Sequence, residues 1–101
     1  MRPIREGMTI SRGAGVRGVT WFSLGAGTDI SRESYDVPTL YLCAEGRGEF
    51  LLGGDAQNVP LLPDELLIVP GKTLCGVNSP EGVIYTEIIA EREIIMNNAI
   101  H

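Results

Sequence analysis

Glycine and proline recur at short intervals along this chain and leave little room for a long helix. Thirteen glycines and six prolines occur among 101 residues. The segments between them are rich in Val, Ile, Leu, Thr, Tyr and Phe, which favour strands, whereas glycine and proline favour turns. Short strands with regular turn signals indicate an all-β sandwich or small barrel. The predicted strands are Met8–Ile10, Val16–Leu24, Thr39–Ala44, Gly48–Leu52, Gln57–Leu61, Glu65–Val69, Thr73–Val77 and Gly82–Glu91.

The charge distribution argues against nucleic acid and anionic membranes as partners. The net charge is -5, and the eight basic residues are scattered rather than clustered. Nucleic-acid binders need a basic face, because neutralising phosphates dominates their affinity. We therefore expect no nucleic-acid partner and no membrane partner.

The cysteine content and the absence of long apolar segments favour the cytoplasm. The N-terminal sequence MRPIREGMTI contains no apolar stretch of signal-peptide length, and no run approaches the ~20 apolar residues of a membrane helix. Cys43 and Cys75 are the two cysteines. In the cytoplasm both thiols stay reduced, so we expect no disulfide between them.

Several predicted strands are apolar on both faces. In Thr39–Ala44, one face carries Thr39, Tyr41 and Cys43, because alternate residues of a strand point in opposite directions. The other face carries leucine and alanine. A sheet with one solvated face should alternate apolar and polar residues, so something must cover both faces. Another sheet or another subunit is the expected cover, and the sequence predicts a homodimer.

The tail of the chain is ambiguous. Ala90–Ala99 is the one helix candidate, but three consecutive apolar residues there give a poor helical period. A final strand or an extended arm fits the segment equally well.

The segment Thr39–Phe50 has the form of a strand, a tight turn and a second strand. Its sequence is TLYLCAEGRGEF, and Glu45 and Gly46 stand at the turn. This arrangement resembles the first conserved motif of the cupin family, in which an acidic residue and glycine close a hairpin.

The segment Leu62–Asn78 is similar to the second cupin motif, which has a Gly-Asp turn, a short strand, proline, a small turn and a histidine. Here Pro63 and Asp64 start a turn and Pro70 and Gly71 fix the next one. With both motifs in order, the resemblance spans roughly residues 16 to 90. Another small antiparallel β-barrel or sandwich is the alternative.

The resemblance implies a single all-β domain, a small antiparallel jelly roll or β-barrel of about eight to ten strands. It occupies residues 1–101, with the first and last ~10 residues as arms or interface strands.

The resemblance also identifies where a metal would be bound, and the expected ligands are missing. Metal-dependent cupins use three histidines and a glutamate. The matching positions here are occupied by Glu33, Tyr35, Thr39 and Cys75, and the only histidine is His101. Two plausible ligands, Glu33 and Cys75, are fewer than a metal site needs. We therefore predict no metal and no other cofactor.

A ligand cavity is expected at the open end of the barrel, where the motif residues converge. Tyrosine, threonine, cysteine and a single carboxylate suit a small, partly apolar organic molecule, and they suit a multiply charged anion poorly. The predicted lining residues are Trp21, Glu33, Tyr35, Thr39, Tyr41 and Cys75.

Three acidic residues leave alternatives open. Glu33 and Asp36 fall on the predicted polar connection Ser31–Asp36 into the first motif, where they either do general acid–base work or are simply solvated. Glu87 lies inside an apolar strand, where a buried carboxylate needs a partner. It either pairs with an arginine such as Arg17 or Arg32 or faces solvent at a sheet edge.

Three functions are compatible with these residues. The leading one is a metal-free cupin-like protein that binds a small molecule in the barrel or acts as a sensor or interaction module. The second is an isomerase, epimerase or dioxygenase-like enzyme with an altered site built on Glu33, Tyr35 and Cys75. The third is a structural subunit. An enzyme needs acidic or thiol groups converging in an open cavity, a binder needs an open cavity without such convergence, and a structural subunit needs no cavity.

The missing histidines give a direct prediction about metal content. Protein purified without a histidine tag should contain transition metal at well below one ion per chain by elemental analysis. Stoichiometric metal that resists dialysis would contradict this prediction and would point to Glu33 and Cys75 as ligands.

Overall fold

The computed structural model describes residues 15–91, and this part of the chain consists of eight strands. The strands are β1 Val16–Leu24, β2 Thr28–Glu33, β3 Thr39–Gly46, β4 Gly48–Leu52, β5 Gln57–Leu61, β6 Leu66–Val69, β7 Cys75–Ser79 and β8 Val83–Ala90. The described residues include no helix, and so none that could cross a membrane.

The strands form two four-stranded antiparallel sheets. Sheet one has the order β1-β8-β3-β6, and sheet two has the order β2-β7-β4-β5. Neighbours in space are mostly distant in sequence, so the chain passes repeatedly from one sheet to the other. The two inner faces enclose the core, as in a jelly roll. The predicted all-β fold class is confirmed.

Aromatic rings from both sheets form the centre of the core. Phe22, Tyr41 and Tyr85 come from sheet one, and Phe50 comes from sheet two. The Phe50 ring centroid lies 4.8 Å from that of Tyr41 and 5.4 Å from that of Tyr85, the second pair edge to face. These separations are typical of favourable aromatic pairs, so the cluster joins the two sheets.

One predicted loop is a strand. The polar connection into the first motif was predicted at Ser31–Asp36, but its first three residues belong to β2, which pairs with β7 and ends at Glu33. Five of the six residues of β2 are exposed, and only Ile30 is partly buried. The strand lies at the edge of sheet two, so its sequence lacks the apolar alternation that reveals a half-buried strand.

The other strand predictions agree closely where they can be compared. Three predicted ranges, those of β1, β4 and β5, match in full. The strand expected at Thr73–Val77 runs instead over Cys75–Ser79. Met8–Ile10, the tail beyond residue 91 and His101 lie outside the described residues.

Sheet one is apolar on its outer face, as predicted from the two-sided pattern. Tyr41 and Cys43 point into the core, so the residues between and beside them point outward. Residues paired with these across the sheet share that outer face. We define the outer face of sheet one by its apolar members: Val19, Trp21, Leu40, Leu42, Leu66, Ile68, Ile84 and Ile88.

The turn between β3 and β4 requires glycine at position 46. Gly46 has φ of +76°, and a Cβ added there would overlap the carbonyl oxygen of Gly82.

We expect Gly46→Ala to lower the free energy of unfolding by at least about 1–2 kcal/mol from the backbone conformation alone. Urea unfolding would measure the loss. Gly54→Ala is the matched control, since nothing lies within 4 Å of its added Cβ. Equal stability of the two variants would contradict the prediction.

Candidate functional site

A cavity of about 150 Å³ lies between the two sheets. This is roughly the volume that five water molecules occupy in the liquid. Aromatic and aliphatic side chains make up most of the wall, and two carboxylates, a thiol and four hydroxyls lie among them. The lining residues are Phe22, Ile30, Ser31, Glu33, Tyr35, Tyr41, Cys75, Val77, Tyr85 and Glu87.

Four of the six residues predicted to line a cavity are brought together here. Glu33, Tyr35, Tyr41 and Cys75 all contribute to the wall. Their convergence follows from strand pairing, because Glu33 lies directly opposite Cys75 in sheet two. Whether they contact a ligand stays a prediction.

The other two predicted residues do not line this cavity. Trp21 precedes the cavity residue Phe22 in β1, so alternation directs Trp21 to the outer face of sheet one. Thr39 is only 2% exposed and shares the inner face with Tyr41. It lies two residues before Tyr41, at the start of β3, and is not part of the cavity wall.

A β-bulge places Glu33 at the cavity. Ile30 also lines it, and residues three apart on a regular strand would point to opposite faces. The register of β2 against β7 shifts between these two positions. The extra residue reverses the alternation, so that Ile30 and Glu33 both reach the cavity.

Glu87 is the site residue whose role the sequence did not reveal. It is 8% exposed, and Tyr41 lies opposite it in the β3–β8 pairing. The Tyr41 hydroxyl donates to Glu87 Oε2 at 3.0 Å, and the Tyr35 hydroxyl lies 3.4 and 3.5 Å from the two carboxylate oxygens. A buried carboxylate is stabilised by such donors.

Both partners expected for Glu87 were wrong. Arg17 is paired with Asp36 at 3.5 Å, and the Arg32 guanidinium donates to backbone carbonyls of the β4–β5 turn. Solvent does not surround Glu87 either, since the residue is buried. Tyr41 and Glu87 both lay on predicted strands, but pairing them required the register of β3 against β8. Tyr35 lies in the connection between β2 and β3, where no strand pattern could place it.

Burial shifts the proton equilibria of the cavity. It raises the pKa of Glu87, while the hydrogen bonds from Tyr41 and Tyr35 lower it and the charge of Glu33 raises it further. Burial, followed by the charge of Glu87, raises the pKa values of Tyr41 and Tyr35. Burial raises the pKa of Cys75 to about 11. At neutral pH the phenols and the thiol are therefore protonated and donate hydrogen bonds.

The donor set does not fit the transition metal that cupin resemblance would imply. Within residues 15–91, no three His, Cys, Asp or Glu side chains are placed to hold a metal ion. Thr39, at the family's glutamate position, lies outside the cavity wall.

Solved structures similar to this chain identify its fold, whereas comparisons of its sequence find no match. No protein-family model matches this sequence, and no curated protein matches it. A cupin superfamily protein from Desulfitobacterium hafniense superposes with a TM-score of 0.69 and 25% identity, covering 88% of this chain and 83% of its own. An RmlC-like cupin protein from Desulfovibrio desulfuricans has a TM-score of 0.69 at 21% identity, with 82% and 78% covered.

A predicted oxalate decarboxylase from Thermotoga maritima is similar to the same degree, with a TM-score of 0.69 at 15% identity, covering 80% of this chain and 74% of its own. Solved structures similar to this chain therefore include cupins of different descriptions. The resemblance predicted from the two sequence motifs is confirmed: the chain has the fold of the cupin superfamily.

Proposed function

We propose that this chain is a cupin-like protein that binds a small organic molecule in the cavity between its sheets. The observation that carries the proposal is Glu87, a buried carboxylate that reaches a cavity with otherwise mostly apolar walls. Ligand sites are commonly apolar cavities with a few convergent polar groups. A sensor that responds to such a ligand would use the same site.

The structural-subunit alternative is less well supported. A subunit that only fills space is expected to have a packed interior, because unfilled volume lowers stability. Here a cavity of about 150 Å³ remains between the sheets.

An enzyme remains the second candidate, and one observation favours it. Glu33, Glu87 and Cys75 converge on one cavity, which is the arrangement that acid–base chemistry needs. Burial raises the pKa of Glu87, which is the direction of shift that general acid catalysis by a carboxyl group needs. Cys75 is a poor nucleophile, since its pKa of about 11 leaves little thiolate at neutral pH. The altered site of such an enzyme would therefore rely on Glu87 rather than on Cys75.

We propose that the chain forms a homodimer through the outer face of sheet one. Leu66 on that face is 48% exposed, although its neighbours there are also apolar. Apolar sheet faces are covered in stable assemblies, and a specific interface buries more than about 1,000 Å².

A cytoplasmic location is proposed as well, because Cys43 and Cys75 are both free.

Alkylation of Cys75 tests the cavity. Cys75 lines it and is 9% exposed, whereas Cys43 is 1% exposed in the core. We expect a small neutral maleimide to label Cys75 in the folded protein and Cys43 only after unfolding. Because the Cys75 pKa is about 11, its labelling rate should still rise about tenfold per pH unit between pH 8 and 9, where an ordinary thiol begins to level off.

Two single-thiol variants make this measurement clean. Cys43→Ala leaves Cys75 as the only thiol, and Cys75→Ala leaves Cys43. A ligand found by thermal-shift screening should slow the labelling of Cys75. Equal inertness of both thiols would show that the cavity is closed to reagents and would favour the structural subunit.

Light scattering tests the dimer. The wild-type protein should have twice the chain mass at micromolar concentration, and Leu66→Glu should shift it to the monomer by placing a charge on the outer face of sheet one. Leu74→Glu is the matched control, because Leu74 is 37% exposed and lies before β7, outside that face. A monomeric wild-type protein would contradict the proposed dimer.

A further inference from the structure

We propose that the ligand of this cavity carries an organic ammonium group, held by the carboxylates and aromatic rings of the wall. This inference rests on the proposed function and gives the ligand a chemical class. It is carried by the charge, the ring arrangement and the size of the cavity.

The charge of the cavity is negative. Glu33 and Glu87 both line it, and the wall contains no lysine or arginine among the described residues. The described arginines are engaged elsewhere: Arg17 with Asp36, Arg32 with backbone carbonyls, and Arg47 with Glu49 at 3.1 Å. A cationic ligand would therefore meet attraction, and an anionic one repulsion that burial makes stronger.

The two carboxylates occupy different depths. Glu33 is exposed at the end of the edge strand β2, whereas Glu87 is 8% exposed on β8, in sheet one. A cation approaching from solvent would first meet Glu33 and then pair with Glu87. Two tyrosine donors do not exhaust the acceptor capacity of the Glu87 carboxylate, which can accept about four hydrogen bonds.

Aromatic rings form much of the remaining wall. Phe22, Tyr35, Tyr41 and Tyr85 all contribute to it. Phe22 and Tyr85 are stacked with centroids 5.0 Å apart, and Tyr41 is inclined at 60° to Tyr85. The face of an aromatic ring carries negative potential and attracts a cation within about 6 Å of its centroid, so a wall with four rings favours an alkylated ammonium group.

The cavity volume limits the rest of the ligand. About 150 Å³ admits a head group such as trimethylammonium with a short chain, and Ile30 and Val77 provide apolar contact for its methyl groups. Burial disfavours the charged form of Glu87, as the raised pKa indicates. A bound cation would offset that cost more fully than a neutral hydrogen-bond donor.

Three probes of nearly the same shape and different charge test the inference. Choline is the cation, 3,3-dimethylbutan-1-ol is its neutral carbon isostere, and 3,3-dimethylbutanoate is an anion of similar shape. Binding to wild-type protein would be measured by NMR titration and by protection of Cys75 from alkylation. We expect choline to bind at least about tenfold more tightly than the neutral isostere, and the anion not to bind.

Charge-removing variants identify the groups responsible. Glu87→Gln should reduce the preference for choline over the neutral isostere severalfold, while the neutral isostere still binds. Glu33→Gln at the exposed rim should reduce that preference less, and it provides a second variant if Glu87→Gln does not fold. Glu81→Gln is the matched control, since it removes the same charge from an exposed residue outside the cavity.

The outcomes separate this inference from the proposed function. Equal binding of choline and the neutral isostere, with protection of Cys75, would overturn the ammonium inference and leave small-molecule binding in place. Tighter binding of the anion would have the same meaning. Failure of all three probes to perturb any cavity residue at millimolar concentration would overturn the ammonium inference, and thermal-shift screening with uncharged compounds would then decide the proposed function separately.

Discussion

The hydrogen bond between Tyr41 and Glu87 is the interaction on which the interior of this domain depends. It joins the two central strands of sheet one, where the residues lie opposite each other, and its length is 3.0 Å. A carboxylate buried without such a donor would cost several kcal/mol. A one-residue slip between β3 and β8 would separate the pair and turn one of them outward. The polar pair thus favours a single register in strands whose apolar residues would tolerate others.

Core and site share the same aromatic side chains. Tyr41 and Tyr85 contact Phe50 in the core and also line the cavity. Their ring positions are therefore set by packing between the sheets rather than by a ligand. A wall fixed in this way needs little reorganisation on binding, which favours affinity. Because Phe50 packs on Tyr41 and Tyr85, a substitution of Phe50 should alter the proposed ligand binding although Phe50 does not line the cavity.

The sequence predicts the parts of this structure that depend on local pattern. Alternation placed Tyr41 and Cys43 inward, and the turn residues located most strand ends. Properties that depend on pairing between distant segments were not predictable. Identifying Tyr41 as the partner of Glu87 requires the β3–β8 register. Trp21 and Phe22 are consecutive in β1, and the sequence pattern does not show which of the two aromatic side chains points inward. Strand β2 was not predicted because an exposed edge strand has no apolar periodicity.

The position of β2 has an evolutionary consequence. This strand supplies Ile30, Ser31 and Glu33 to the cavity, yet most of its residues are exposed and it pairs with only one neighbour. Substitutions there would alter the lining of the cavity while disturbing few buried contacts, so the stability threshold that limits changes in the core constrains them less. Divergent descendants of such a chain could acquire new ligands mainly through substitutions in β2, while the aromatic residues of the wall stay unchanged.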